Sequence, residues 1–417
     1  MARSRTSPNS DSRRASVGPA AAGPLAALVI SLFFIWGGAT SLNDILVPKL
    51  KDLFQLTYAE AMLIQFAFFT AYAIVSVPAG ALVARLGYGK GIVAGLVVMA
   101  AGCLLFYPAA ALATYGLFLA ALFVLAGGIT ILQVAANPLI ANLGTPKNAS
   151  SRLTFAQAFN SLGTTIMPFL GARLILNSIG KPDAVSNRAH EAAVIGQAYF
   201  GIAVVLGLIA LVFWAVRRHL GEADPAAGLA GGLALLRRPR LGFGVAAIFV
   251  YVGAEVAIGS LMVSYLMQAT TLGLDQRTAG ERIALYWGGA MVGRFIGAGL
   301  LRVLAPGKVL AGAAIGAGAL VAISAMTHGP VAGWSLLSVG LMNSIMFPTI
   351  FSLAVEGLGE KTPQGSGLLC MAIVGGALMP LLSGHVADLA GLAVALIVPV
   401  ACYAVIAGYG WFARRPA

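Results

Sequence analysis

The chain has 417 residues, of which 59% are hydrophobic and only 10% are charged. A folded water-soluble protein carries about 25% charged residues, so this composition excludes an ordinary soluble enzyme and indicates that lipid solvates most of the chain. The length accommodates about twelve membrane-crossing helices of about 20 residues each, with short loops and no additional soluble domain.

The net charge of +12 is not distributed as in a nucleic-acid-binding protein. Most of the 26 Lys and Arg fall in the N-terminal arm, in the even-numbered loops between apolar stretches and in the C-terminal tail. This asymmetry predicts that both termini lie in the cytoplasm. We therefore expect a multi-pass protein of the bacterial cytoplasmic (inner) membrane, with the lipid bilayer and not a nucleic acid as its surroundings.

The apolar runs divide the chain into two similar parts. Residues 1–20 are rich in Ser, Arg and Pro and predict a disordered cytoplasmic arm. Six apolar runs follow over 21–216 and six more over 241–417, on either side of a polar cytoplasmic linker at 217–240. The predicted fold is all-α, with twelve transmembrane helices in two pseudo-symmetric six-helix bundles.

The two parts repeat weakly but in register. The recurring pairs, each five residues apart, are Gly80 and Arg85 against Gly297 and Arg302, Gln133 and Pro138 against Asn343 and Pro348, and Gly163 and Pro168 against Gly375 and Pro380. Such duplication is typical of transporters that are built from repeated bundles.

The first span carries an acidic residue, Asp44, next to Asn43 and two helical turns after Trp36. Ionisable groups within membrane helices usually face a cavity or a partner. One interpretation makes Asp44 the group that binds a coupling ion or the substrate. The other makes it a helix-end carboxylate that is wetted by the outer headgroup region.

Two stripes of neutral polar side chains run along the fourth and fifth spans. They are Thr130, Gln133 and Asn137 in span four and Gln157, Asn160 and Thr164 in span five. A single amide often makes only an interhelical hydrogen bond. Two adjacent stripes offer donors and acceptors together, which suits an uncharged polyhydroxylated ligand, whereas an anionic ligand would need Arg or Lys at midspan.

The second part of the chain supplies further candidates for the substrate site. Tyr251 and Glu255 lie in span seven, Trp287 in span eight and Asn343 in span ten. Together with Trp36 they offer aromatic faces and polar groups for a sugar ring. Trp287 fits an aromatic belt at the headgroups equally well, and Glu255 fits a structural pair.

A cytoplasmic gate is predicted at Arg294 in span eight and Glu356 at the inner end of span ten. The alternative is that Arg294 extends to the interface unaided. The four His residues are scattered, and the sequence has neither a G-x-S-x-G elbow nor a G-x-x-x-x-G-K-[ST] loop. We therefore expect no catalytic residues, no cofactor and no ATP, so that an ion or substrate gradient drives transport.

These segments together resemble the major facilitator superfamily, within it the branch of fucose permeases and bacterial glucose/galactose transporters. The resemblance covers nearly all of residues 25–413. Its most specific segments are SLNDILVPKL at 41–50, QVAANPLIANLG at 133–144, LTFAQAFNSLG at 153–163, YVGAEVAIGS at 251–260, YWGGAMVGRFIG at 286–297, NSIMFPTIFSLAVEGLG at 343–359 and GSGLLCMAIVGGALMP at 365–380. The loop from Gly80 to Lys90 resembles the superfamily's cytoplasmic motif, except that Ala84 replaces an acidic residue.

The resemblance bears on the coupling ion. In the fucose permeases a first-span aspartate, here Asp44, handles protons with a fourth-span glutamate, whose position here is Gln133. An amide carries no proton, so Asp44 with the oxygens of Asn43, Gln133 and Asn137 is predicted to bind Na⁺, a hard cation that prefers oxygen ligands. Sodium is thus favoured over H⁺ as the coupling ion.

The sequence-based hypothesis is a monomeric, cation-coupled symporter that takes up a monosaccharide such as glucose or galactose by alternating access. The first alternative is proton-driven efflux of drugs or other small molecules, which would need a wide apolar cavity. The second is a membrane sugar sensor that binds without transporting.

Overall fold

The computed structural model describes residues 19–56, 58–112, 114–171, 187–220 and 232–415. Within these ranges the chain is helical and contains no strand. Most of the predicted N-terminal arm and residues 221–231 of the predicted linker lie outside the described residues. The side chains of residues 42–49, which include Asn43 and Asp44, also lie outside them, although the backbone there is helical.

Fifteen α-helices account for most of the described residues. They are α1 (Pro19–Phe54), α2 (Tyr58–Leu86), α3 (Tyr88–Ala111), α4 (Tyr115–Asn142), α5 (Ala149–Gly171), α6 (Asn187–Val216), α7 (Pro239–Met267), α8 (Gln276–Val303), α9 (Pro306–Met326), α10 (Gly329–Asn343), α11 (Met346–Val355), α12 (Thr362–Met371), α13 (Gly375–Ala390), α14 (Leu392–Ala395) and α15 (Ile397–Phe412). Helices α10 and α11, α12 and α13, and α14 and α15 are consecutive pieces of single spans.

Eleven segments of the described chain are long and apolar enough to cross a membrane. Helix α5 is the twelfth long helix and has 23 residues, about 34 Å at 1.5 Å per residue. Its polar stripe lowers its mean hydropathy, because the helix exchanges apolar residues for amides and hydroxyls. The one long helix of the described chain that is not among these eleven segments therefore carries much of the predicted site.

Local chemistry explains several helix ends. Gly87 has φ 82° between α2 and α3, a left-handed conformation that favours glycine. The guanidinium of Arg152 donates to the carbonyl oxygens of Ile140, Ala141 and Thr145, which satisfies the last turn of α4. The Asp275 carboxylate caps α8 by accepting hydrogen bonds from Thr278 and from the Arg277 amide, and these bonds lower the pKa of Asp275.

Each half of the chain packs mainly with itself. In the first half α1 packs on α5, and α3 packs on α4 and α6, whereas in the second half α7 packs on α13 and α15, and α9 packs on α10 and α15. The halves are joined most extensively by α2 with α12 and by α5 with α8. The predicted domain boundaries remain a proposal, but this packing is the arrangement that two bundles would have.

The sequence repeat corresponds to equivalent close contacts. A Cβ atom at Gly163 would overlap the carbonyl oxygen of Phe34 in α1, and one at Gly375 would overlap the carbonyl oxygen of Phe249 in α7. Both glycines therefore let two helix backbones touch, α1 with α5 and α7 with α13. The predicted pairing of these two positions is seen in the packing.

The junctions α2–α3, α4–α5, α8–α9 and α11–α12 lie at one end of the bundle. Gly89 at the start of α3 contacts the Arg217 backbone after α6, and Gly307 at the start of α9 contacts Arg414 after α15. We call this the basic end, because Arg85, Lys90, Lys147, Lys308 and Lys361 lie at these junctions.

Candidate substrate site

The predicted amide stripes of α4 and α5 face each other. The Gln157 amide nitrogen lies 3.5 Å from Asn137 Oδ1, and the Gln133 amide nitrogen donates to the Tyr72 hydroxyl of α2 at 2.7 Å. All three amides are buried, whereas Asn160 is partly exposed. The structure thus places on facing helices four of the five amides that were predicted to bind the substrate; the fifth, Asn343, lies in the second half.

Several atoms of these amides have no partner within the described part of the chain. Asn137 Nδ2 is buried without a hydrogen-bond partner there, and Gln133 Oε1 and Asn160 Oδ1 accept no hydrogen bond from a described residue. A buried amide without a partner costs about 1–3 kcal/mol. Groups of this kind are expected where a ligand supplies the missing bonds.

Helix α1 closes one side of the amide cluster. Asn160 Nδ2 donates to the Phe33 carbonyl oxygen at 3.1 Å, and Gly37 of α1 lies against Asn160, where a side chain would not fit. Trp36 is only 3% exposed, and the centroid of its ring lies 4.2 Å from the centroid of the Phe33 ring. In this conformation Trp36 is a packing residue and not an open face for a sugar.

The second half contains a tyrosine network instead of an amide array. Asn343 donates to the Tyr286 hydroxyl and accepts from the Tyr403 hydroxyl, both at 2.8 Å. Tyr251 donates to Glu255 Oε1 at 2.8 Å. Asn343 and Tyr251 are almost fully buried, whereas Glu255 is partly exposed.

Trp287 differs from its neighbour Tyr286. Tyr286 is fully buried, whereas Trp287 is 43% exposed, and the two rings meet edge to face at 5.0 Å. The Trp287 ring lies near Gly259 of α7. Both the substrate and the aromatic-belt interpretations of Trp287 are compatible with this position.

The predicted ion pair between Arg294 and Glu356 does not form. Arg294 donates from Nε to the Ser344 carbonyl at 3.2 Å and from Nη1 to the Ser161 hydroxyl and the Gln157 carbonyl of α5. Glu356 instead pairs with Arg240 at the start of α7. Arg294 lies nine residues before the end of α8, about 13 Å along the helix, which is too deep to meet a residue at the end of α11.

Two prolines explain which carbonyl oxygens are available near the site. Proline lacks the N–H that would bond to the carbonyl four residues earlier, so Pro138 frees the carbonyl of Val134 and Pro348 frees that of Ser344. The Ser366 hydroxyl of α12 donates to the Val134 carbonyl at 2.9 Å, and Arg294 donates to that of Ser344. The repeated proline thus provides an acceptor in each half.

Small residues hold the halves together near the basic end. None of them was predicted to form a gate. The hydroxyl oxygens of Ser150 and Ser352 lie 2.6 Å apart, within hydrogen-bond distance. The Ser151 hydroxyl donates to the Ala298 carbonyl oxygen at 2.6 Å. A Cβ at Gly80 would lie 2.9 Å from the Pro363 carbonyl. We call these contacts the inner seal. The repeated glycines Gly80 and Gly297 are the sequence feature that could have indicated this seal. Gly297 packs against Ile345 and lies near Thr154 of α5.

The predicted sodium site is only partly described. Asn43 and Asp44 lie in α1, but their side chains are outside the described residues. The Gln133 amide nitrogen is turned toward Tyr72, and Asn137 Oδ1 faces the Gln157 amide. Cys103, Cys370 and Cys402 are buried and form no disulfide.

Residues 28–373 match the family described as Major Facilitator Superfamily. A glucose/galactose transporter of Brucella abortus is 52% identical over 380 residues, which are 91% of this chain and 91% of the relative. An L-fucose-proton symporter of Escherichia coli is 37% identical over 415 residues, which are 94% of this chain and 93% of the relative.

Solved structures agree with the fold. The crystal structure of the E. coli fucose:proton symporter is 33% identical, covers 95% of this chain and 100% of its own, and gives a TM-score of 0.85. A second crystal structure of this symporter, in the outward conformation, has the same identity and coverage and a TM-score of 0.84. The predicted fold is confirmed, and so is the prediction of a transporter rather than an enzyme.

Proposed function

Since the chain belongs to the Major Facilitator Superfamily, we propose that it takes up a hexose, glucose or galactose or a close relative, by proton-coupled alternating access. The observation that carries the proposal is the amide cluster of α4 and α5. The names of the relatives, glucose/galactose transporter and L-fucose-proton symporter, support a sugar as substrate. The proposed location is the bacterial cytoplasmic membrane, with the protein as a monomer.

The unpartnered amide atoms match the chemistry of a sugar hydroxyl. Asn137 Nδ2 offers a donor, and Gln133 Oε1 and Asn160 Oδ1 offer acceptors. A hydroxyl donates and accepts at once, so adjacent hydroxyls of one ring satisfy both kinds of group. Gln157 supports the cluster by holding Asn137 Oδ1, and partly exposed Glu255 is the proposed contribution of the second half.

We propose a proton rather than sodium as the coupling ion, with Asp44 as its carrier. Of the predicted sodium ligands, Asn137 has its Oδ1 engaged by the Gln157 amide. The relative whose name states a coupling ion is a proton symporter. Gln133 carries no proton, so Asp44 would act without a second carboxylate from α4.

Alternating access would proceed by opening of the inner seal. The basic end is proposed to face the cytoplasm because of its charge, which makes this conformation open to the outside, as in the relative solved in the outward conformation. Arg294 spans the halves through Ser161 and Gln157. When the seal opens, Arg294 must release α5, so its bonds stabilise the outward conformation only.

Uptake by purified protein in proteoliposomes tests the proposal. Radiolabelled galactose or glucose should accumulate above its outside concentration when the inside is alkaline, and an imposed Na⁺ gradient at equal pH should add nothing. Accumulation driven by Na⁺ alone would restore the sodium hypothesis. Binding without accumulation would identify a sensor, and export of an apolar dye with no sugar transport would identify an efflux pump.

A further inference from the structure

A groove of about 940 Å³ lies at the basic end, away from the proposed sugar site. It is formed by the start of α7, the end of α11 and the end of α15. Its charged lining consists of Arg238, Arg240, Arg414, Arg415 and Glu356. The proposed transport cycle uses none of these side chains to bind sugar, so the groove calls for a separate explanation.

Arg240 forms the floor of the groove and is fully engaged. It donates to the Leu353 and Arg415 carbonyl oxygens, both at 2.8 Å, and pairs with Glu356. Because its charge is neutralised by Glu356, Arg240 adds little net positive potential. Its bond to the Arg415 carbonyl positions the segment after α15, so that Arg414 and Arg415 stand beside the groove.

Three guanidinium groups remain without an acidic partner among the described residues. Arg238 reaches only the Gly357 carbonyl, at 3.4 Å. Arg414 stacks on the Trp411 ring at 3.7 Å and donates to the carbonyl of the same residue. The side chain of exposed Arg415 donates no hydrogen bond within the described chain. The groove therefore presents a net positive charge to a ligand.

The membrane-facing border of the groove is aromatic. Trp411 is 61% exposed, and the exposed rings of Phe243 and Phe412 pack edge to face at 5.4 Å. Leu233 and Leu236, in the short 3₁₀ segment that precedes α7, are exposed beside Arg237. Exposed apolar side chains that border a basic pocket are typical of the membrane interface.

We propose that this groove binds one anionic phospholipid of the cytoplasmic leaflet. The phosphate would lie among Arg238, Arg414 and Arg415, because guanidinium forks match phosphate oxygens, and the acyl chains would lie over Phe243 and Phe412. A soluble anion would use the charges but not the exposed rings. The apolar groove between α3 and α6, lined by Val97, Phe200 and Trp214, offers no such headgroup site.

Native mass spectrometry of the delipidated protein in detergent tests the proposal, with titrations of phosphatidylglycerol and phosphatidylcholine. One phosphatidylglycerol should bind with preference over phosphatidylcholine. The variant Arg414→Gln/Arg415→Gln should bind phosphatidylglycerol about 25-fold more weakly, at about 5-fold for each basic residue. Equal affinity of the wild type for the two lipids would overturn the proposal.

The chain contains a matched control at the end of α6. Arg217 stacks on Trp214 at 3.7 Å and donates to its carbonyl, as Arg414 does with Trp411, but it does not line the groove. Arg217→Gln/Arg218→Gln removes the same charge and should keep the affinity. An equal loss in this variant would show general surface attraction and contradict a site.

Two further measurements complete the test. If the double variant does not fold, Arg415→Gln alone, at an exposed position, should weaken phosphatidylglycerol binding about 5-fold. Glycerol 3-phosphate at millimolar concentration should not displace the lipid. Complete displacement would show that the groove takes a soluble phosphate and would overturn the lipid proposal.

Discussion

Gln133 and Asn343 occupy equivalent positions in the two halves, each five residues before a proline, yet their surroundings differ. Asn343 is fully buried, and its donor and acceptor atoms are both used by tyrosine hydroxyls. Gln133 uses only its nitrogen, on Tyr72, and lies beside three other amides of α4 and α5. The same sequence feature is therefore structural in the second half and open to a ligand in the first.

This difference indicates that equivalent residues in the two halves of a duplicated fold can have different roles. An amide with both atoms satisfied stabilises the bundle, because each unpaired group in hydrocarbon would be costly. An amide that has one atom without a hydrogen-bond partner stabilises the protein less. It gains a hydrogen bond when a ligand binds. The comparison supports the proposal that the first half binds sugar and carries the coupling ion, whereas the second half supplies rigidity around the helix break at Ser344.

The largest expected effect concerns the coupling group. Asp44→Asn should abolish accumulation of sugar in proteoliposomes, because an amide carries no proton, but should retain exchange of labelled for unlabelled sugar. The comparison variant is Glu255→Gln, in the second half, which should still accumulate sugar even where its affinity for sugar falls, because Glu255 is not the proposed proton carrier. The assignment fails if Glu255→Gln loses accumulation and Asp44→Asn retains it.

The next effect is on stability. Asn343→Leu leaves the hydroxyls of Tyr286 and Tyr403 without their amide partner, so the free energy of unfolding should fall by about 2–4 kcal/mol. Thermal unfolding in detergent measures this change. Adding Tyr403→Phe should recover part of the loss, since one unpaired hydroxyl is then removed. An unchanged melting temperature in Asn343→Leu would contradict a structural role.

The sequence predicted the architecture better than the individual contacts. The apolar runs and the repeat of Gly163 and Gly375 gave the helices and one pair of backbone contacts, because helix length and close packing leave a direct pattern in residue type. Tyr72 and Tyr403, which hold the two equivalent amides, were missed, since a tyrosine within an apolar run resembles any core aromatic residue.

The error at Arg294 has a different cause. Sequence gives the depth of a residue in a helix but not which neighbouring helix its side chain meets. Arg294 was paired with Glu356, whereas it contacts α5 and a carbonyl oxygen that Pro348 leaves free. Only the packing of α8 between α5 and α10 specifies this choice.

A smaller effect is expected at Arg294. Arg294→Lys keeps the charge but loses the forked guanidinium that reaches both α5 and Ser344. The population of molecules with an open inner seal should therefore rise about 5- to 30-fold. A thiol-reactive reagent should label the Ser352→Cys variant, whose substituted side chain is buried in the seal, faster when Arg294→Lys is also present. Slower labelling would show that Arg294 favours the open seal instead.

The smallest effect is expected at Glu356. Its side chain is 44% exposed and pairs with Arg240 inside the second half, so Glu356→Gln should change stability by about 0–1 kcal/mol. It should leave labelling of Ser352→Cys unchanged. Faster labelling would mean that Glu356 belongs to the gate after all.

Calorimetric titration of galactose or glucose in detergent tests the division between the halves most directly. Gln133→Ala and Asn160→Ala should each weaken sugar binding by about 1–3 kcal/mol, about 5- to 150-fold. Asn343→Ala, measured below its unfolding temperature, should bind with nearly the affinity of the wild type. Unchanged affinity in both first-half variants, with a loss only in Asn343→Ala, would contradict the account.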